Sequence, residues 1–100
     1  MNLVFKALSH PVRRRIVAML RDRPMTSGDI AAVFDMAWPS ITGHLNALKD
    51  AGLVDAEKVG TSIRYRLNIS AAEEAVAFLM DLAGTGASSP AAAPQTGKIK

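Results

Sequence analysis

The chain has 100 residues, no cysteine and a formal net charge of +3 at pH 7. This length allows one small domain, and the missing thiols exclude disulfides, thiolate metal sites and redox switching through sulfur. Hydrophobic residues make up 49% of the chain, yet no apolar run approaches the roughly 18 residues of a membrane span and no signal-peptide pattern opens it, so we predict a globular cytoplasmic domain.

The charged residues are distributed unevenly along the chain. Residues 1–70 contain ten lysines and arginines against six acids, whereas residues 71–83 contain three acids and no base. A basic body with an acidic terminal segment favours a polyanion on one face and a different partner on the other. An ordinary solvated surface gives the same pattern, so charge alone leaves both interpretations open.

The chain begins with two predicted helices. Residues 2–8 form a short apolar helix, which must dock on another surface because so short a helix is unstable alone. The second helix runs from Pro11 to Arg23, with Pro11 in its first turn and Pro24 just beyond its end. Its predicted buried stripe is Val12, Ile16, Met19 and Leu20. The arginines on its other faces are a solvated surface, or they help to bind phosphates or acids of a partner chain.

The next two predicted helices form a helix-turn-helix. Thr26 is the predicted N-cap of the third helix, and Asp29 completes a capping box three residues later. This helix runs to about Phe34. Its predicted buried residues are Ile30, Val33 and Phe34. After a turn of about three residues, the fourth helix begins near Ala37.

The fourth helix has the pattern of a helix that reads DNA. Ile41, Leu45 and Leu48 recur at i, i+4 and i+7, which gives one buried stripe. Gly52 is placed just past the helix end, where Leu53 can fold back on Leu48. The residues outside the stripe are small or polar: Ser40, Thr42, Gly43, Asn46 and Lys49. A helix with such an exposed face fits a major groove about 12 Å wide.

Beyond the fourth helix, the apolar period changes from helical to alternating, which predicts a two-stranded hairpin. Its first strand contains Val54, Ala56 and Val59, and Gly60 and Thr61 form the turn. The predicted inward face of the second strand is Ile63, Tyr65 and Leu67. The predicted outward residues are Lys58, Ser62, Arg64 and Arg66. Beside a helix-turn-helix, this hairpin is a wing whose outward Lys58 and Arg64 contact phosphates or serve only solubility.

The last predicted helix covers residues 71–83, with Ser70 as its N-cap. Its apolar residues cover far more than one stripe, and one small domain rarely buries a helix on nearly every side. We therefore predict that this helix and residues 2–8 form a homodimer interface, in preference to a ligand pocket. The predicted interface residues are Leu3, Val4, Phe5, Leu8, Val76, Leu79, Met80 and Ala83. Residues 1–83 then form one domain, and residues 84–100 form a disordered tail.

Three strings, in order, resemble the ArsR/SmtB family of bacterial winged-helix repressors. The family's first two helices resemble FKALSHPVRRRIVAML, its recognition helix resembles ITGHLNALKDAGLV, and its wing resembles GTSIRYRLN. The likeness covers residues 2–83 and is closest to the SdpR-like subgroup of autorepressors. It implies a mainly α fold with a small β-hairpin, a winged helix-turn-helix that dimerises through its terminal helices. It also implies a homodimer that binds an inverted-repeat operator in double-stranded DNA and represses transcription, commonly of its own operon.

The resemblance implies that the first turns of the recognition helix, within residues 38–44, touch bases and phosphates. Combined with the exposed faces of the helix and wing, the predicted DNA-binding set is Ser27, Trp38, Pro39, Ser40, Thr42, Gly43, His44, Asn46, Lys49, Lys58, Thr61 and Arg64. The protein is then expected to associate with the bacterial nucleoid. The operator sequence and any inducer or partner protein are left open.

Three positions depart from the family's pattern. Ala37 stands where a Ser or Thr N-cap is usual, and the loss of the capping hydrogen bond lowers the stability of the helix by about 1 kcal/mol. Trp38 replaces a common Gln, and its indole either meets a thymine methyl or sugar or covers the turn beneath it. Gly43 replaces a common basic residue, which removes a contact and weakens the helix by about 1 kcal/mol. The neighbouring His44 is predicted to be a packed or phosphate-contacting residue and not a pH switch.

The sequence predicts no metal, no cofactor and no enzymatic activity. The family's thiolate metal site maps to three positions without a soft-metal ligand, Thr26, Gly28 and Ala31. No histidine follows His44 to form the family's second metal site, and no phosphate loop, nucleophile elbow or apolar carboxylate pair is found. The alternative function is a winged-helix module that binds a protein, since Trp38 and Gly43 both reduce the polar reading surface.

Overall fold

The computed structural model describes residues 1–84 and has the predicted winged helix-turn-helix architecture, mainly α with a small antiparallel sheet. The elements in chain order are α1 (Asn2–Leu8), α2 (Pro11–Asp22), β1 (Met25–Thr26), α3 (Ser27–Val33), α4 (Trp38–Asp50), β2 (Val54–Val59), β3 (Ser62–Leu67) and α5 (Ile69–Leu82). Nearly all of the predicted disordered tail lies outside the described residues. The chain divides into two compact units, Met1–Ile69 and a second that starts at Ser70 and contains most of α5.

The core of the first unit is formed by one apolar stripe from each of its helices together with the base of the sheet. Its buried side chains are Val4, Ala7, Ile16, Leu20, Met25, Ile30, Ile41, Leu45, Leu48, Leu53, Val54 and Tyr65. The predicted stripes of α2 and α4 are therefore confirmed at their centres. Val12 and Met19 at the margin of the α2 stripe are half-buried.

The starts of α2 and α3 are both capped; the position of Pro11 and the capping box of α3 were predicted, whereas the cap by His10 was not. The Val12 N–H donates to Nδ1 of His10 at 3.3 Å, and Pro11 follows that cap in the first turn. Thr26 and Asp29 form the complete capping box, in which the Asp29 N–H donates to the Thr26 hydroxyl at 3.1 Å and the Thr26 N–H donates to the Asp29 carboxylate at 3.3 Å. Two orphan donors at the start of α3 are thereby satisfied.

The predicted burial of Val33 is wrong. This residue is the last of α3 and is 43% exposed, and the neighbouring Phe34 is only half-buried. The helix has seven residues, about two turns, and ends at Val33, so Ile30 is its one buried residue. Phe34 instead lies under the guanidinium of Arg15, whose Cζ is 5.4 Å from the ring centroid.

The wing is a three-stranded sheet of order β1-β3-β2, with one strand more than the sequence predicts. Met25 pairs with Tyr65 and Thr26 with Arg64, both in antiparallel register. Because β1 has only two residues, it has no alternation that a sequence pattern can detect. Its pairing fixes the start of α3 to the base of the hairpin, since Thr26 is both a strand residue and the N-cap of α3.

The predicted glycine at the end of α4 is confirmed. Gly52 has a φ of +79°, and its N–H donates to the Lys49 carbonyl at 2.9 Å. The next N–H, of Leu53, donates to the Leu48 carbonyl at 3.0 Å. These two bonds form a Schellman motif, in which Leu53 folds back on Leu48 and turns the chain from α4 into β2.

The two glycines associated with α4 should respond oppositely to alanine. Gly52→Ala places a side chain in the left-handed region, so we expect a loss of about 1 kcal/mol in the free energy of unfolding. Gly43→Ala adds a methyl group where nothing lies within 4 Å, inside a helix that favours alanine, so we expect a gain of about 0.5–1 kcal/mol. Urea titration followed by circular dichroism measures both changes. A stabilised Gly52→Ala variant would show that the Schellman turn does not constrain this position.

Candidate nucleic-acid interface

The rotation of α4 about its axis is fixed by its buried stripe, and this exposes a polar face. Ile41, Leu45 and Leu48 are each fully buried. At about 100° per residue, positions 39, 43 and 46 lie on the side of the helix opposite this stripe. The exposed residues of α4 that were predicted to contact DNA are Trp38, Pro39, Ser40, Thr42, Gly43, Asn46 and Lys49. The face combines hydroxyl, amide and ammonium groups with one gap at Gly43.

The first turn of α4 is dominated by an exposed indole. Ala37 is the N-cap and provides no side-chain hydrogen bond, as predicted. Trp38 follows and is 53% exposed. Its Cη2 atom lies over the first turn of α3, 3.9 Å from the position that a Cβ atom on Gly28 would occupy. The indole therefore contacts α3 along one edge and leaves about half of its surface open.

His44 lies on the flank of α4 that faces α2, not on the exposed polar face. Its Nδ1 accepts a hydrogen bond from Nε of Arg13 at 3.1 Å, and its ring centroid lies 4.4 Å from that of His10. The packed alternative of the sequence prediction is thus the one observed. The inclusion of His44 in the predicted DNA-binding set is therefore not supported, because helical spacing places His44 only about 60° from the buried stripe, away from the exposed polar face.

The environment of His44 disfavours its charged form. Burial is the largest cause that lowers the pKa of its imidazole, and the nearby His10 and Arg13 lower it further. Neutral His44 can accept the Arg13 N–H at Nδ1, whereas the protonated ring has a hydrogen on that atom and cannot. The hydrogen bond from Arg13 on α2 to His44 on α4 therefore requires the neutral ring.

The prediction that Lys58 and Arg64 share one face of the wing is wrong. Paired residues of an antiparallel ladder project to the same face. Lys58 pairs with Ile63, on the face of the buried Tyr65, whereas Arg64 pairs with Glu57 on the other face. Both cations are still exposed, since the hairpin extends past the core. For the same reason Ile63, predicted to point inward, is 41% exposed.

The outer face of the wing carries a small charge cluster that the sequence reasoning missed. Glu57 accepts hydrogen bonds from Arg64 at 3.3 Å and from Arg66 at 3.2 Å, and all three side chains are about half exposed. Two arginines share one carboxylate, so the cluster keeps a net positive charge. Alternation places Arg66 beside Arg64, and that signal is sufficient to include Arg66 in the candidate surface.

The remaining predicted DNA-binding residues flank these two elements. Thr61 is exposed in the hairpin turn beside Gly60, whose φ of +63° suits the first central position of a two-residue turn. Ser27 begins α3 and is half-buried. Within residues 1–84, no group of three or more His, Cys, Asp or Glu side chains lies close enough together to hold a metal ion. No helix in the same range is long and apolar enough to cross a bilayer.

The predicted dimer residues differ in their exposure. In α1, Leu3 is 59% exposed, Phe5 and Leu8 are half-buried, and Val4 faces the core of its own protomer. Val4 is therefore not available to a second copy. On α5, described by itself, the side chains with predicted interface roles are all exposed: Val76, Leu79, Met80 and Ala83.

Comparison with known proteins gives a consistent result. The family model for a helix-turn-helix domain matches residues 8–57. The transcriptional repressor SdpR of Bacillus subtilis (strain 168) is 40% identical over 86 residues, which cover 86% of this chain and 96% of that repressor. A solved ArsR family transcriptional regulator has a TM-score of 0.77 at 31% identity, over 81% of this chain and 89% of its own. A solved possible transcriptional regulator for arsenical resistance has a TM-score of 0.74 at 29% identity, with coverages of 82% and 84%.

The lowered pKa of His44 predicts that acid destabilises the fold. The unfolded chain, with a reference value of 6.5 for this residue, binds the proton more readily than the folded protein does. Stability is thus fully present above that value and is lost as the pH falls below it. We expect the melting temperature to decrease between about pH 7.5 and about pH 5.5, the range in which histidine titrates, and to decrease less in His44→Asn.

The asparagine variant is a matched control because its side-chain oxygen can accept the Arg13 N–H without titrating. Thermal melts followed by circular dichroism at each pH give the comparison. If the two proteins lose the same number of degrees over this range, protonation of His44 does not limit stability.

Proposed function

Because this chain belongs to the ArsR/SmtB family of winged helix-turn-helix DNA-binding transcriptional repressors, we propose that it acts as a homodimer on an inverted-repeat operator and represses its own promoter. The observation that carries the proposal is the exposed polar face of α4 beside an exposed cationic hairpin. One element has the size and chemistry to read base edges, and the other has the charge to hold phosphates. The proposed place of action is the bacterial cytoplasm, at the nucleoid.

In the proposed complex, α4 enters the major groove with its exposed face toward the bases. Thr42 can donate to or accept from base edges, and the Asn46 amide matches the paired donor and acceptor of adenine. Gly43 leaves open space between them, so the helix backbone can approach the groove closely at that point. Base recognition by α4 then depends on several short side chains, because this helix contains no arginine that could form a bidentate contact with guanine.

Phosphate contacts come from cations on both elements. Lys49 lies in the last turn of α4, and Lys58 and Arg64 lie on opposite faces of the wing. All three are exposed, so each can reach a phosphate without the cost of leaving a buried pair. Arg64 shares Glu57 with Arg66, which reduces its free charge and favours Lys49 and Lys58 as the stronger anchors.

Dimerisation is supported by apolar surface that a small monomer rarely exposes. On α5, Val76 is 54% exposed and Leu79 is 51% exposed, and both belong to one helical face with Met80 and Ala83. A second copy that covers this face would remove it from water. Two copies related by a two-fold axis would present two reading helices about 34 Å apart, the spacing of successive major grooves. Such a dimer would block polymerase when bound at a promoter.

The salt dependence of DNA binding tests the reading-helix assignment. We expect the purified protein to protect a single palindromic site in the DNA upstream of its coding region, with an affinity that falls steeply as salt rises. Lys49→Gln should reduce the slope of log K against log[salt] by about 2 for a dimer, or about 0.9 for each lost contact. Fluorescence anisotropy with a labelled operator at several salt concentrations measures the slope.

Arg21→Gln is the matched control for the salt experiment. Arg21 lies near the end of α2 and pairs with Asp22 at 3.7 Å, with both side chains exposed, and it has no place in the proposed surface. For Arg21→Gln, the slope of log K against log[salt] should equal that of the unmodified protein. No binding to upstream DNA even at low salt would instead support the alternative, a winged-helix module that binds a protein.

A charge placed on the apolar face of α5 tests the homodimer. We expect Leu79→Glu to shift sedimentation from dimer toward monomer, because a carboxylate cannot be buried without a partner. Ala77→Glu is the control, since residue 77 is exposed but lies about 100° round the helix from Val76. Analytical ultracentrifugation over a range of protein concentrations measures the monomer–dimer equilibrium of each variant. A monomeric unmodified protein, or a dimer unaffected by Leu79→Glu, would reject this interface.

A further inference from the structure

We propose that Trp38 is a specificity-determining residue that selects thymine against cytosine, at one position of each operator half-site, through the C5 methyl group. This inference rests on the proposed function and names what one side chain of the reading helix recognises. Trp38 is the first residue of α4, and in helix-turn-helix proteins the N-terminal residues of the recognition helix contact base edges. Its indole is 53% exposed, a large apolar area to leave in water at that place.

One edge of the indole lies against α3. Its Cη2 atom lies 3.9 Å from the position that a Cβ on Gly28 would occupy, at the first turn of α3. That turn is itself fixed by the capping box of Thr26 and Asp29. A rigid aromatic group with two torsions loses little entropy on binding, which is why such groups serve as anchors in interfaces.

The chemistry of the indole matches thymine and mismatches cytosine. Its surface is carbon except for Nε1–H, which is a donor only. In the major groove, thymine presents a methyl group next to the O4 acceptor, whereas cytosine presents the N4 donor and no methyl group. None of the side-chain hydrogen bonds in residues 1–84 uses the Nε1–H of Trp38. That donor is therefore free to meet O4 while the ring carbons cover the methyl group.

The residues next to Trp38 favour a contact with a thymine methyl group over a contact with a phosphate. Pro39 follows Trp38 and lacks a backbone N–H, so the second position of the helix provides no donor to a phosphate. No lysine or arginine lies in the first three turns of α4. The first two residues of the reading helix are thus apolar, and the methyl group of thymine is the one apolar feature of the major groove.

The test removes the methyl group and nothing else. After footprinting identifies the operator, each thymine is replaced in turn by deoxyuridine, and affinity is measured by fluorescence anisotropy. We expect one symmetric pair of positions at which the substitution weakens binding, by about fourfold for one half-site and about fifteenfold for both, the effect of one buried methyl group each. At that pair, Trp38→Gln should bind the thymine and deoxyuridine operators equally.

Two further variants and the fluorescence of Trp38 test whether the sensitivity to deoxyuridine comes from the indole. Val33→Gln changes another exposed apolar side chain of the helix-turn-helix and should keep the sensitivity to deoxyuridine. Trp38→Phe keeps an aromatic ring without the N–H, so it should retain part of the discrimination. Trp38 is the only tryptophan in the chain, so the emission of the unmodified protein should shift when the operator binds.

The possible failures are distinguishable. A footprint with no position sensitive to deoxyuridine, or equal sensitivity in Trp38→Gln, would overturn the role of Trp38 and leave the repressor proposal intact. Unchanged tryptophan emission on a bound operator would also overturn it. No footprint at all would reject the operator and this contact together.

Discussion

The burial of Ile41, Leu45 and Leu48 is the constraint on which the rest of the molecule depends. These three side chains are fully excluded from water, and together they contribute several kcal/mol of hydrophobic stabilisation. That free energy would be lost if α4 rotated about its axis, so the rotation is fixed. The same constraint holds Thr42, Gly43 and Asn46 outside, whatever their own preferences. In this fold the surface that we propose to read DNA is a consequence of core packing.

Both ends of α4 are held by groups outside the helix. At the C-terminal end, the Schellman hydrogen bonds around Gly52 turn the chain. The next two residues, Leu53 and Val54, are buried and fix the start of the wing to the core. At the N-terminal end, the missing side-chain cap of Ala37 leaves a weaker start. The hydrogen bond from Arg13 to His44, nearly two turns further along, ties α4 to α2. Position and orientation are thereby set from both sides of the reading face.

The charge pattern of the surface separates two tasks. The exposed face of α4 has few full charges, which leaves its hydroxyl, amide and indole groups to distinguish bases. The wing adds three exposed cations, Lys58, Arg64 and Arg66, and Glu57 holds the two arginines close to each other and moderates their charge. An arrangement of this kind limits non-specific attraction to phosphates, because the affinity of exposed cations for any duplex is independent of sequence. In the proposed complex, specificity then depends more heavily on the few groups at the start of α4.

Local patterns in the sequence determined the helices, most of their ends and the hairpin, because periodicity, Pro11, the Thr26 capping box and Gly52 act within a few residues of chain. The predicted N-cap at Ser70 is wrong, since α5 begins one residue earlier at Ile69. The candidate reading face also followed from the sequence, since a 3.6-residue period fixes which side chains oppose the buried stripe. Only the tertiary structure decided the rest. Whether Val33 and Ile63 are covered depends on where neighbouring elements end, and the two-residue β1 exists only because Tyr65 and Arg64 lie beside it. The face of Lys58 was likewise set by strand register, and the hydrogen-bond partner of His44 by the approach of α2, which are long-range contacts that no local pattern records.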